Sequence, residues 1–85
     1  MKESSTSAHT IGYALDLFPA NRLIMDFRKF CKDYLSDKPF DQLISEQEDN
    51  SGIPSWIHIG YKDHQGRQHR RMLSMREERY YLWEE

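Results

Sequence analysis

Residues 55–61 read Ser-Trp-Ile-His-Ile-Gly-Tyr, and the alternation in this stretch decides the fold. Ile57, Ile59 and Tyr61 fall on one side of a period-two segment, and Trp56, His58 and Gly60 on the other. That is a strand with one apolar face for a core. A histidine beside a glycine therefore stands on the face turned away from the aliphatic side chains. Residues 12–18, GYALDLF, repeat the arrangement: Tyr13, Leu15 and Leu17 share one face, and Gly12, Ala14 and Asp16 the other. Here two of the smallest side chains flank a carboxylate and leave room beside it for a metal or a ligand.

Outward from these strands, Pro19 suits the first turn of a helix. Leu23, Ile24, Phe27, Phe30, Cys31, Tyr34 and Leu35 then recur with helical spacing across residues 20–36. The spacing predicts a helix whose Met and aromatic positions are core, with Arg28, Lys29, Lys32 and Asp33 off the apolar stripe. Asp37-Lys38-Pro39 ends it. Residues 40–46, FDQLISE, read as a strand, and 47–54, with Asp49, Asn50, Ser51, Gly52 and Pro54, as a loop. The polar stretch 62–69 around Gly66 reads as a turn. Residues 70–85 admit either a helix over 71–79 or a strand at 80–83. Together these segments predict one α+β domain over residues 1–85: a small antiparallel sheet with the helix packed on its apolar face, and any site on the opposite face.

A chain of 85 residues makes one domain with a thin core, to which a bound metal would add stability. The net charge is −2, from 12 basic and 14 acidic residues. This leaves no electrostatic case for nucleic acid as a partner, and the basic run Arg67 to Arg79 is interrupted by Glu77 and Glu78. The single cysteine, Cys31, excludes an internal disulfide; its place on the helix stripe makes it a buried thiol and no nucleophile. No segment approaches the roughly 18 apolar residues of a membrane span. The opening MKESSTSAHT lacks the apolar run of a signal peptide.

His9, Asp16 and His58 are the candidate chemistry. Two imidazoles and one carboxylate make a zinc set with a fourth position for water, whose pKa such a site lowers to about 7. A bend at Thr10-Ile11-Gly12 would fold His9 back toward Asp16, and His58 closes the set from another strand. Spacing alone suits equally an exposed terminal histidine and a hydrogen-bonded strand histidine.

The wider pattern is more specific. Ser7, His9, Gly12, Ala14 and Asp16 stand as S-x-H-x-x-G-x-A-x-D, followed downstream by Trp56 and His58 as W-x-H. This resembles the zinc D-alanyl-D-alanine carboxypeptidase and phage L-alanyl-D-glutamate endopeptidase family, which has the Hedgehog/DD-peptidase fold. The likeness spans residues 5–74 and includes the order of the helix, the FDQLISE strand and the HRRML segment. It implies Zn2+ held by His9, Asp16 and His58, and hydrolysis of peptide bonds in peptidoglycan stem peptides. With no signal peptide, it suits a phage lysin that waits in the host cytoplasm or rides in the virion.

Two departures accompany the resemblance. The family's upstream segment, with an arginine that serves site and substrate, has no counterpart before His9, so by this resemblance the chain matches the C-terminal metal-binding part, as a fragment, a shortened form or one completed by a partner. Ser55 stands where the family often has its general base, and a hydroxyl is a poor proton acceptor. If 40–46 and 55–61 form a hairpin, Glu46 lies opposite Ser55 and can take that role; otherwise it is a solvated strand end like Glu48 and Asp49. Trp56 either lines the cleft or packs as core. Ser7 either supports the site by a hydrogen bond or is a loop serine. Arg70 and Arg71 either grip stem-peptide carboxylates with their guanidinium forks or form a solvated basic turn. His64 and His69 read as surface residues. The alternative function keeps fold and metal in a non-catalytic cell-wall-binding or structural module.

Overall fold

A computed structural model describes residues 14–83. In chain order it contains β1 (Ala14–Leu17), α1 (Ile24–Leu35), β2 (Gln42–Glu46), β3 (Trp56–Gly60), β4 (Arg71–Arg76) and β5 (Arg79–Leu82). The strands form one sheet in the order β1-β3-β2-β4-β5, with α1 on one face. The domain is therefore α+β, as the alternation and the helical spacing predict.

The sheet is mixed where a wholly antiparallel one was expected. β2 and β3 are an antiparallel hairpin, but the chain then crosses back through residues 61–70 and lays β4 parallel to β2. Arg70 N–H donates to Phe40 O and Arg71 N–H to Asp41 O, which joins the returning chain to the start of β2. The ambiguous tail is neither alternative alone but a β4–β5 hairpin. Its two-residue turn, Glu77-Glu78, has both residues in the left-handed region, at φ 50° and 65°, the backbone of a type I′ turn.

Strand register sorts the side chains by face. Leu43 lies opposite Ile59 and Met72, and Ser45 opposite Ile57 and Ser74. These face α1, whose Ile24, Cys31 and Leu35 close the core with Phe40, Leu43 and Ile57. Burial pushes the Cys31 thiol up to about 11, as suits an inert core residue.

Two expectations about the helix need correction. It begins at Ile24, not at Pro19: Arg22 N–H donates to Pro19 O, Leu23 N–H to Asn21 Oδ1, and Arg22 turns left-handed at φ 66°. Nor is the whole apolar stripe core, for Leu23, Phe30 and Tyr34 are 54%, 60% and 53% exposed. Each stands one residue before a core residue and so points about 100° away around the helix. The rings of Phe27, Phe30 and Tyr34 stack on one another along this flank. Arg28, four residues after Ile24, occupies the buried arc instead. Its Nε donates to Ser45 Oγ at 3.2 Å, and its guanidinium lies 3.8 Å from the centre of the Trp83 ring. It also faces Glu48 at 3.9 Å, whose carboxylate meets Arg76 Nε at 3.1 Å. Glu48 is thus a buried ionic joint between α1, the end of β2 and β4, not a solvated loop residue.

Candidate active site

The face of the sheet opposite α1 carries the polar residues that alternation placed there. Asp16 on β1 and His58 on β3 are direct register partners, with Ala14 and Gly60 as the next pair on the same face. His58 Nδ1 lies 2.7 Å from Asp16 Oδ1. The ring rests over Gly60, where an added Cβ would come within 3.7 Å of His58 Nε2. The Asp16–His58 pair can share a proton, or can present two converging donor atoms to a cation.

Glu46 belongs to this face. Its partner across the hairpin is Trp56, while Ser55, the residue expected opposite it, donates its N–H to Glu46 O at 2.8 Å. Burial pushes the Glu46 carboxyl above its ordinary value; His58 draws it down and the Asp16 charge pushes it up further. Ser55 instead donates its hydroxyl to Gln47 O. Trp56 is half-buried on the same face, and its Nε1–H is buried with no acceptor among the described residues.

The two arginines named from the sequence part company. Arg70 is held in a left-handed conformation, φ 56°, and its guanidinium donates to Ser36 O and Lys38 O while covering the Phe40 ring. It ties down the chain after α1 and is spent on carbonyls. Arg71 is the register partner of Gln42, which pairs in turn with Gly60. Arg71 therefore lies on the open face and is exposed. Ser7 and His9, the remaining site residues, lie outside the described residues.

A second constellation was missed by the sequence reading. Asp41, a buried residue at the mouth of β2, accepts from His69 N–H at 3.0 Å and lies 2.5 Å from His69 Nδ1. Asp63 Oδ2 is 4.0 Å from the same nitrogen. One ligand atom from each of Asp41, Asp63 and His69 fits within 4.8 Å. The Asp63 oxygens are already taken: the backbone N–H groups of Arg67 and Gln65 and the Arg67 side chain hold its carboxyl down at about 2. The cluster pins the 61–70 crossover to the start of β2. Nothing in the spacing of three residues so far apart in sequence signalled it.

No protein family, curated protein or solved structure matches this chain in sequence or fold comparisons.

Proposed function

We propose that this domain is a zinc peptidase that hydrolyses peptidoglycan stem peptides, with Asp16 and His58 as metal ligands and Glu46 as general base. The observation that carries the reading is the approach of Asp16 Oδ1 and His58 Nδ1 to 2.7 Å on an open sheet face that also bears Glu46. The donor set fits zinc. Ligands about 2.0–2.2 Å from a tetrahedral zinc stand about 3.3 Å apart, so a small opening of the present hydrogen bond makes room for the ion. His9 is the third ligand in this reading. By the same reading the architecture is Hedgehog/DD-peptidase-like, and the enzyme is a phage lysin that reaches the wall from the host cytoplasm or the virion.

Zinc, when bound, supplies carbonyl polarisation and a water whose pKa falls to about 7. Glu46 takes the proton of the attacking water and passes it to the leaving amine. Its desolvated setting raises its basicity toward the working pH, as such a base requires. Ile44 and Leu73 form the buried apolar centre of the open face.

The test is mass spectrometry of fragments released from purified peptidoglycan, with and without a chelator, beside Asp16→Ala. Chelator-sensitive release abolished by Asp16→Ala is the expected result, and the fragment masses name the bond. Absence of release from folded, zinc-loaded protein would overturn the enzymatic reading in favour of a wall-binding module.

A further inference from the structure

On the open face, Ala14, Gly60, Gln42 and Arg71 are consecutive register partners across β1, β3, β2 and β4. The parallel row next to it holds Asp16, His58, Ile44 and Leu73. Arg71 is thus two strands and two residues from His58, a Cα separation of about 12 Å. An extended arginine side chain covers roughly half of that. Between the two lies β2, which presents Gln42 and the buried Ile44 on this face.

Arg70 holds Ser36 O and Lys38 O, Arg67 is bound to Asp63, and Lys38 meets Asp37. The Arg71 guanidinium has no hydrogen-bond or ion-pair partner among the described residues. A planar fork of donors without a partner among the described residues is matched to a carboxylate, which it holds by two parallel hydrogen bonds. An extended peptide rises about 3.3 Å per residue, so the remaining gap corresponds to one or two residues.

We infer that Arg71, reaching from β4 across β2 toward His58, anchors a free carboxylate one or two residues from the scissile bond, and so selects acidic stem peptides over their carboxamides. The inference rests on the peptidase reading for the identity of the peptide, but not for the existence of the subsite.

The experiment compares a synthetic stem tetrapeptide carrying free carboxylates with its fully amidated counterpart. Each is titrated calorimetrically into wild type, Arg71→Gln and Arg71→Lys, and offered to the zinc-loaded proteins for hydrolysis. Wild type is expected to bind the acid about 10–100-fold more tightly than the amide. Arg71→Gln should erase that ratio by losing acid affinity, with thermal unfolding unchanged, and Arg71→Lys should restore part of it. Equal affinities in wild type, or a ratio that survives Arg71→Gln, would overturn the inference. Failure of hydrolysis alone would count against the peptidase reading and leave the binding ratio to decide the subsite.

Discussion

Replacing Glu48 with alanine should cost the fold about 2–3 kcal/mol, at the low end of what breaking a buried ion pair costs. Its side chain is 3% exposed and sits between Arg76 Nε at 3.1 Å and the Arg28 guanidinium at 3.9 Å. Removing one partner of a buried ion pair costs about 3–5 kcal/mol, because the other charge is left without compensation. Two features reduce that figure here. Arg76 is half exposed and regains water, and Arg28, with 17% of its side chain exposed, keeps Ser45 Oγ and the Trp83 face. For a domain of this size about 4–8 °C of melting temperature accompanies each kcal/mol, so the melt should fall by roughly 10–20 °C. Chemical denaturation of Glu48→Ala, Arg76→Ala and the double variant separates the pair from its surroundings. A loss in Glu48→Ala within about 0.5 kcal/mol of zero is what an exposed residue gives; it would refute the buried-joint reasoning. The site supplies a second readout. Gln47, at φ 52°, turns the chain so that Glu46 faces the open side while Glu48 faces α1. On the peptidase reading, a loosened Glu48 should therefore lower turnover through Glu46, while zinc affinity, which that reading assigns to Asp16 and His58 with His9, is kept.

Other outcomes follow from the same structure. Burial holds the Glu46 carboxyl above its ordinary 4.5, so its ionised form disfavours folding at any pH above that raised value and the penalty disappears as pH falls below 4.5. In chelator-treated protein, Glu46→Gln should melt higher than wild type at pH 7 and alike at pH 4 or lower, and with zinc it should lose turnover; a lower melt at pH 7 would count against the assignment. Glu77 and Glu78 occupy left-handed positions that disfavour L side chains by about 1–2 kcal/mol each. Glu77→Asn with Glu78→Gly should stabilise the hairpin by about 1–2 kcal/mol net, measured by urea denaturation, and no gain would mean that the turn relaxes elsewhere. An alanine Cβ at Gly60 finds contacts of 3.7–4.0 Å, ordinary packing distances, so Gly60→Ala should fold with a gain of about 0.5 kcal/mol. Gly60→Val should press on the imidazole and weaken zinc binding by titration calorimetry; unchanged affinity would show that the ring does not depend on this gap.

Much of the open face was legible because strand alternation is a strict constraint. With Ile57 and Ile59 committed to the core, His58 had to point away from it, and alternation set Asp16 opposite Leu15 and Leu17 in the same way, although Leu15 on this edge strand stays 54% exposed. Alternation does not specify which strands are neighbours. It could not reveal that Asp16 and His58 are direct partners, or that β4 returns parallel to β2 through the 61–70 crossover. Several of the misreadings fall at single left-handed residues. Arg22 delays the helix, Gln47 reverses the facing of Glu48, and Arg70 aims its guanidinium at the end of α1. None is a glycine, so no residue preference marked these positions.

The misjudged charges share a physical cause. A thin core with a single helix cannot cover both faces of a five-stranded sheet, so the elements are joined at their ends by polar latches: Glu48 with Arg28 and Arg76, Asp41 with His69, and Arg70 with the carbonyls after α1. Composition places such residues on the surface by default, and only tertiary neighbours show which are buried. Once those charges are assigned to structure, the ones left on the open face are Asp16, His58, Glu46 and Arg71. That subtraction is the strongest argument that these four act on something other than the fold. The latches hold the strands that carry them, Arg71 has no hydrogen-bond or ion-pair partner among the described residues, and on the peptidase reading an entering cation would replace the Asp16–His58 hydrogen bond at little cost to the sheet beneath.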